Sequence, residues 1–517
     1  MRIPRRALVG TVVLLVVCTA TGSKLKSAPP PYVATVHVRT EAPGVAVNRR
    51  VLGNNLHWVD DADGLLEHEE TTWEPRLLEL ARQMGPTVLR YPGGSQADTY
   101  HWRDGLGPAA ARGTNEHFFT GQKQKVMLGT VEFLSLCREL GAEPLVTVNV
   151  ASGTAAEAAA WVRAVNVTGM TAADGTRLGP VHFWEIGNEP YLAPDQQKKL
   201  HLSPEEFVTR ANAWIRAMKQ ADPSIEVGIP LRSDRLGVVL ATPFQGFASK
   251  VLAGVTEPFE FVALHNAYLP FLLDPKQRVS EDDLFRASMA SGSVLEADLA
   301  ATRALLKELQ PDRSIRLAIT EYNAQYTMGG DKDNYIVTLT GALVVADLLR
   351  VFAGTDDLLM ANYWSLCGNG WYGAVSSRGD LRPAFHVLRA ANEVLRGRML
   401  PAEVAGPRFD APAGGIVPAT RDVPALVALA TLEDNRLRLL LINRDLARPA
   451  EITLEGPSGP VAEVKFREFG GTILWAAKGR PAIPEWQDRA VQGQACPLRF
   501  RLEPHALGVL EMRLGGS

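Results

Sequence analysis

Cysteine is scarce in this sequence, with four residues in 517 and no CxxC pair. One of them, Cys18, lies in an N-terminal apolar run. The other three, Cys137, Cys367 and Cys496, are odd in number and widely spaced. Such spacing excludes a disulfide framework and a cysteine-based metal site, and we predict no metal ligands in this chain.

Blocks of basic residues are also absent, and the formal net charge is only −3. A nucleic-acid partner usually requires a concentrated basic surface, so we expect none here. The sequence has no repeat of fixed period, and its only low-complexity tract is a short proline-rich stretch near the N-terminus.

An apolar run long enough to cross a membrane is missing at the N-terminus. The run from Ala7 to Ala20 is short for a span and follows three arginines, which predicts an export signal over residues 1–23. An uncleaved anchor helix is the alternative. Because the residues before Cys18 loosely resemble a bacterial lipoprotein box, a lipid anchor through Cys18 is also open. We therefore expect a secreted or periplasmic protein, or one anchored to lipid, with a linker over residues 24–32.

Strand-like and helix-like stretches alternate eight times between residues 51 and 397, which predicts an α/β fold of the (β/α)8 TIM-barrel type. An open doubly wound sheet is the structural alternative. The predicted strands are Val51–Trp58, Thr87–Tyr91, Glu143–Val150, Val181–Ile186, Ile225–Ile229, Phe261–His265, Arg316–Thr320 and Met360–Trp364. Helical stretches separate them, among them 237–252.

The pattern changes at residue 398, where short alternating runs with Pro and Gly between them predict a C-terminal β-sandwich over 398–517. Residues 33–50 contain an alternating strand that precedes the barrel, and we expect it to join that sandwich.

Two of the predicted barrel strands end in glutamate. Glu189 follows the strand 181–186 and precedes a proline, and Glu321 follows the strand 316–320. In a parallel barrel both would emerge on the same face, and two facing carboxylates are the equipment for cleaving a glycosidic bond. Glu185 has the same strand parity as Glu189, so it is either a buried paired group or an alternative acid.

Polar and aromatic residues stand at the same ends of the other strands. A neighbouring Arg90 would favour the ionised form of a nucleophilic carboxylate, although a structural ion pair is equally compatible with it. In the same way, His265 is also compatible with a hydrogen-bonded core histidine, and Trp364 with ordinary core packing. Sugars need this mixture, because hydroxyls take hydrogen bonds and C–H faces take aromatic rings.

These residues resemble retaining glycosidases, and the sequence is most similar to glycoside hydrolase family 51, the α-L-arabinofuranosidases. The matching stretches are LRYPGGSQADTYHWRDGLGP (89–108), GAEPLVTVNVASGT (141–154), FWEIGNEPY (183–191), LHNAY (264–268) and ITEYNAQY (319–326). The resemblance implies Glu189 as acid/base and Glu321 as nucleophile. It also implies Asn188 as a contact to the sugar 2-hydroxyl and places Arg90, His265 and Tyr268 around the nucleophile. We expect these four residues to bind the substrate together with Trp364, which stands at the end of the eighth predicted strand.

Three positions depart from that family. Ser95 stands where asparagine usually follows the Pro-Gly-Gly, Tyr322 stands where tryptophan commonly follows the nucleophile, and the stretch after the first strand lacks the usual glutamate. We therefore expect an exported retaining glycosidase with an oligosaccharide or polysaccharide substrate, first an α-L-arabinofuranoside, and no cofactor. A β-xylosidase, a glucosidase, an endoglucanase or an inactive carbohydrate-binding barrel are the alternatives.

Overall fold

A computed structural model describes residues 29–68, 70–192, 200–233, 244–271, 279–325, 335–368, 372–458, 460–471 and 484–515. The predicted export signal and Cys18 lie outside these residues, as do residues 24–28 of the linker and the beginning of the helix predicted at 237–252.

Eight parallel strands form a closed barrel. In chain order β1 to β8 are Gly53–Asn55, Val88–Tyr91, Glu143–Val148, Phe183–Ile186, Glu226–Leu231, Phe261–Leu264, Arg316–Ala324 and Leu358–Tyr363. Each strand pairs with the next, β8 pairs with β1, and β6 pairs with β7 from Phe261 opposite Arg316 to Ala263 opposite Ala318. Because this ring has no open edge, the (β/α)8 barrel is confirmed and the open doubly wound sheet is excluded.

Strand bounds differ from the prediction at two places that position the site. The predicted first strand, Val51–Trp58, shrinks to β1, because Arg49–Leu52 forms a 3-10 turn in which the Asn48 side chain accepts from the Arg50 backbone. The seventh strand is longer than predicted, because it continues to pair with a short strand at Ala267–Leu269. Glu321 therefore lies within β7 rather than after it.

Helices follow the strands and cover the barrel. In chain order α1 to α9 are Pro75–Met84, Thr130–Leu140, Ala155–Val162, Pro204–Ala221, Phe247–Gly254, Glu281–Met289, Ser291–Leu309, Leu339–Ala353 and Pro383–Val394. The start of α4 follows directly from sequence, since Ser203 and Glu206 form a reciprocal capping box around Pro204 at the first helical position. Among the described helices, none is long and apolar enough to cross a membrane.

The β-rich domain consists of two sheets around a shared apolar cluster. The first sheet has the order Ala402–Ala405, Tyr32–Val38, Ala450–Glu455, Leu498–Leu502 and Val491–Gln492. The second has the order Val45–Ala46, Arg398–Leu400, Leu426–Glu433, Arg436–Asn443, Ala506–Leu514, Val461–Phe469 and Trp486–Arg489. Tyr32–Val38 thus lies between two strands that follow it by more than 360 residues, and pairs antiparallel with one and parallel with the other.

A buried ion pair connects the barrel to the β-rich domain. Arg444, at the end of the strand Arg436–Asn443, pairs through Nη2 with the carboxylate of Asp347 in α8, and each residue is only 1% exposed. Arg350 donates from Nε to the same Asp347 oxygen at 2.7 Å. Burial by itself raises the pKa of Asp347, but the two guanidinium groups outweigh it and hold that pKa below its ordinary value.

Candidate active site

The two strand-end glutamates meet on one imidazole. Nδ1 of His265, which directly follows β6, lies 3.0 Å from Glu189 Oε1 and 3.8 Å from Glu321 Oε1. Those two oxygens are therefore separated by no more than the two distances together, about 7 Å. Glu189 keeps 18% of its side-chain exposure, whereas Glu321 keeps 7%. One carboxylate is thus accessible and the other is nearly enclosed.

Glu321 is held by a charged donor on one oxygen and a phenol on the other. Arg90 Nη1 donates to Oε1 at 2.9 Å, and the Tyr268 hydroxyl donates to Oε2 at 2.7 Å. Burial, and then the charge of Glu321, raise the pKa of Tyr268 well above its ordinary value, so the phenol stays a donor. Both contacts favour a negative charge on Glu321 in one fixed orientation.

Arg90 is the hub of this network and is completely buried in β2. Besides Glu321, it donates from Nε to Glu185 Oε2 at 2.6 Å, from Nη1 to Asn55 Oδ1 at 3.1 Å and from Nη2 to Asn188 Oδ1 at 2.8 Å. Burial by itself lowers the pKa of Arg90, but Glu185 and Glu321 together raise it above its ordinary value. The guanidinium therefore remains charged and fixes four side chains at once.

Glu185 belongs to the barrel interior rather than to the accessible rim. It is 0% exposed, and besides Arg90 it accepts hydrogen bonds from Thr147 Oγ1 at 2.8 Å and Thr320 Oγ1 at 3.0 Å. A carboxylate so completely paired has no route to a substrate. Of the two alternatives for Glu185, the structure favours the buried paired group.

His265 is oriented from its far side, because Nε2 lies 2.9 Å from Thr320 Oγ1. Burial by itself lowers the pKa of His265, but Glu321 and Glu189 together raise it above its ordinary value. The two carboxylates therefore favour the cationic form of this imidazole relative to a free histidine, and the ring lies between them.

Trp364, directly after β8, forms a wall beside the enclosed carboxylate. A β-carbon added at Gly94 would lie 2.7 Å from Glu321 Oε1 and 2.9 Å from Trp364 Cη2, closer than real contacts allow. Glycine is needed here because the backbone after β2 passes directly against both groups. The Trp364 ring also meets the ring of Tyr372 edge to face.

All seven residues proposed from the sequence thus converge on one end of the barrel. Sequence reasoning gave no role to Asn55, Thr147 or Thr320, which hold Arg90, Glu185 and His265 in place. Their only signal was a polar side chain on a buried strand. It also passed over Asp98, which is 3% exposed and whose Oδ1 has no hydrogen-bond partner among the described residues.

No group of three or more His, Cys, Asp or Glu side chains among the described residues is arranged to hold a metal ion.

Comparison with known proteins points to the same chemistry. The family described as "Alpha-L-arabinofuranosidase 1 domain" matches residues 80–235, which include Arg90, Asn188 and Glu189. A probable alpha-L-arabinofuranosidase C of Aspergillus terreus is 26% identical over 467 residues, covering 81% of this chain and 87% of that protein. The alpha-L-arabinofuranosidase C of Emericella nidulans is 35% identical over 166 residues, about a third of each chain.

Among solved structures, the alpha-L-arabinofuranosidase of Thermotoga maritima in complex with arabinose superimposes with a TM-score of 0.76 at 19% identity. The likeness covers 93% of this chain and 100% of that one, and at this identity it speaks for the fold. Together with the matched family and relatives, it identifies the chain as a glycosidase built on a (β/α)8 barrel and similar to the family 51 α-L-arabinofuranosidases.

Proposed function

We propose that this glycosidase is a retaining α-L-arabinofuranosidase in which Glu321 is the nucleophile and Glu189 the acid/base. The observation that carries the proposal is the meeting of both carboxylates on His265, at 3.0 and 3.8 Å from one nitrogen. Retaining glycosidases hold their two carboxyl groups about 5 Å apart, whereas inverting enzymes need roughly 6.5 to 9.5 Å to admit a water molecule. A shared imidazole supports the closer arrangement.

The surroundings of the two carboxylates support this division of roles. Glu321 accepts from Arg90 and Tyr268, contacts that stabilise the ionised form a nucleophile needs to attack the anomeric carbon. Once the glycosyl–enzyme bond forms, that negative charge is gone. Glu189, the more exposed of the two, then takes a proton from the incoming water, having given its own to the leaving oxygen.

The Asn188 amide is oriented to serve the substrate. Its Oδ1 accepts from Arg90 Nη2 at 2.8 Å, which leaves Nδ2 to donate on the other side, toward the accessible carboxylate. A sugar hydroxyl beside Glu189 would accept that hydrogen bond. The names of the two Aspergillus terreus and Emericella nidulans relatives, both arabinofuranosidases, support an α-L-arabinofuranoside as the sugar.

The experiment is a panel of 4-nitrophenyl glycosides, containing α-L-arabinofuranoside, β-D-xyloside and β-D-glucoside, with azide added to the inactive variants. We expect turnover of the arabinofuranoside and its loss in Glu321→Ala and Glu189→Ala. Azide should restore both variants with opposite stereochemistry. It replaces the nucleophile in Glu321→Ala and gives an inverted glycosyl azide, and it replaces water in Glu189→Ala and gives a retained one.

Glu205→Ala is the matched control, because that glutamate lies on α4 with 69% of its side chain exposed and should leave the rate unchanged. Azide products of the same configuration in both variants would refute the assigned roles. Preferred turnover of the xyloside or glucoside would refute the arabinofuranoside.

The acid role of Glu189 has its own test. Glu189→Gln cannot protonate a leaving group, so substrates whose leaving group is a poor one should lose far more rate than 2,4-dinitrophenyl glycosides. Equal losses across a series of leaving groups would contradict this role.

Export is part of the proposal and rests on Arg2, Arg5, Arg6 and the apolar run that follows them. Intact mass of the protein recovered from outside the cytoplasm should show removal of about 20 residues, or a diacylglycerol on Cys18. A full-length protein confined to the cytoplasm would exclude export.

A further inference from the structure

His57 stands two residues beyond β1, at the same end of the barrel as the two glutamates. Its side chain keeps 18% of its exposure. The ring packs edge to face on Trp364 at a centroid distance of 4.7 Å. A β-carbon at Gly93 would lie 2.6 Å from its Cδ2, so the glycine backbone closes on the imidazole from another side. His57 is therefore part of the same wall as Trp364.

An unusual piece of backbone holds this imidazole. The four residues Asp60–Asp63 all have positive φ, at 52°, 53°, 58° and 56°, and form a left-handed turn. Residues with a side chain avoid that conformation, and a run of four persists only where surrounding contacts impose it. The turn delivers Asp63, whose Oδ2 lies 2.7 Å from His57 Nδ1. It is tied down at its start by Gln124, which accepts from the Asp60 backbone at 3.1 Å.

The pairing leaves one ring nitrogen available. Asp63 takes the Nδ1 side, and no hydrogen bond joins Nε2 to any other described residue. Burial by itself lowers the pKa of His57, but the charges of Asp63 and Glu321 raise it above its ordinary value. Nε2 donates when the ring is protonated and accepts when it is neutral, and a hydroxyl group complements either state.

We propose that His57, oriented by Asp63, hydrogen-bonds a hydroxyl group of the sugar that lies against Trp364, and so helps to determine which glycone the enzyme accepts. The proposal rests on the proposed reaction at Glu321, because that carboxylate and Trp364 define where the glycone lies. The strained turn has a role in this scheme, since it fixes the one carboxylate that sets the direction of the imidazole.

The test compares wild type with His57→Ala and Asp63→Asn on a 4-nitrophenyl glycoside and on its monodeoxy analogues. For the parent substrate we expect kcat/KM to fall about 10- to 100-fold in His57→Ala, mainly through KM, and less in Asp63→Asn. One deoxy position should cost wild type a similar factor and cost His57→Ala nothing further. A residue that only supported the fold would not remove the penalty of a single hydroxyl.

His68→Ala is the matched control. His68 also pairs with an aspartate of this turn, Asp61 at 2.8 Å, but 87% of its side chain is exposed, so its variant should keep wild-type kinetics. Equal losses for His57→Ala on the parent and on every deoxy analogue, or no loss at all, would overturn the proposal.

A binding arm separates this proposal from the proposed function. Calorimetric titration of free monosaccharides, L-arabinose first, into Glu321→Ala and into Glu321→Ala/His57→Ala does not depend on turnover. Weaker binding in the double variant supports the role of His57 even when the chosen glycoside is not hydrolysed. The missing hydrolysis would then count only against the proposed substrate. Unchanged binding, or the absence of sugar binding in Glu321→Ala, overturns it.

Discussion

Asp98 offers the sharpest test of the electrostatics around the site, through the variant Asp98→Asn. Burial raises the pKa of its carboxyl from 3.8 to about 7, a hydrogen bond from the Asn188 backbone opposes this, and the charge of Glu189 adds to it. Asparagine preserves the shape of the side chain and removes the titration. The perturbation therefore isolates the cost of a buried charge beside the Asn188-Glu189 segment.

The sign follows from the two end states. Between pH 4 and pH 7 the unfolded chain has an ionised Asp98 while the folded protein keeps it protonated, so the folded state binds more protons. The free energy of unfolding therefore falls as pH rises through this window, and the full loss is present above pH 7. One pKa unit corresponds to about 1.4 kcal/mol, so the whole loss is about 4 kcal/mol. About 3 kcal/mol of it falls between pH 5 and pH 8.5.

The assay is thermal unfolding of wild type and Asp98→Asn at both pH values. With an unfolding entropy of about 2 cal/mol/K per residue, a chain of this length loses about 1 °C in Tm per kcal/mol. The Tm of Asp98→Asn relative to wild type should therefore be about 3 °C higher at pH 8.5 than at pH 5. Other titrating groups cancel in this comparison, because both proteins contain them.

Asp174→Asn is the control. Asp174 lies on the surface with 54% of its side chain exposed, and its hydrogen bond from Arg138 lowers the pKa of its carboxyl to about 2, so it is ionised at both pH values. Its effect on Tm should be the same at pH 5 and pH 8.5. A difference between Asp98→Asn and wild type that does not change with pH, or that changes in the opposite direction, would refute the reasoning.

Two further variants test the site and the connection between domains. Gly94→Ala places a β-carbon 2.7 Å from Glu321 Oε1, so kcat/KM should fall about 100-fold with little change in Tm. Gly354→Ala is its control, because the added β-carbon would lie at an ordinary 3.4 Å from its nearest atom, and its kcat/KM should equal that of wild type. Steady-state kinetics check both, and normal activity in the first would contradict the close approach. Asp347→Asn leaves Arg444 buried without its anionic partner, so we expect a loss of about 3 to 5 kcal/mol in calorimetry, with activity per folded molecule retained. An unchanged Tm would show that this ion pair does not hold the domains together.

Much of the barrel was predictable because short-range residue patterns indicate the order of its strands and helices. Buried parallel strands are continuous apolar runs, and the helices between them have their own start signals, as at Ser203. The polar residues at strand ends were visible for the same reason. Strand length was less predictable: β7 runs on through Glu321 because it pairs with Ala267–Leu269, a partner that its own sequence does not specify.

The sequence by itself determined the number and order of the barrel strands, and the presence of Glu189 and Glu321 at the ends of two of them, because hydrophobic periodicity and turn residues act over a few positions. The tertiary structure alone decided which carboxylates are enclosed, since the burial of Glu185 and Asp98 depends on groups that arrive from distant strands. It alone also brought the left-handed turn of Asp63 against His57 and closed β6 on β7. The charge state and solvent exposure of these side chains depend on residues that are distant in sequence, so short-range sequence patterns do not predict them.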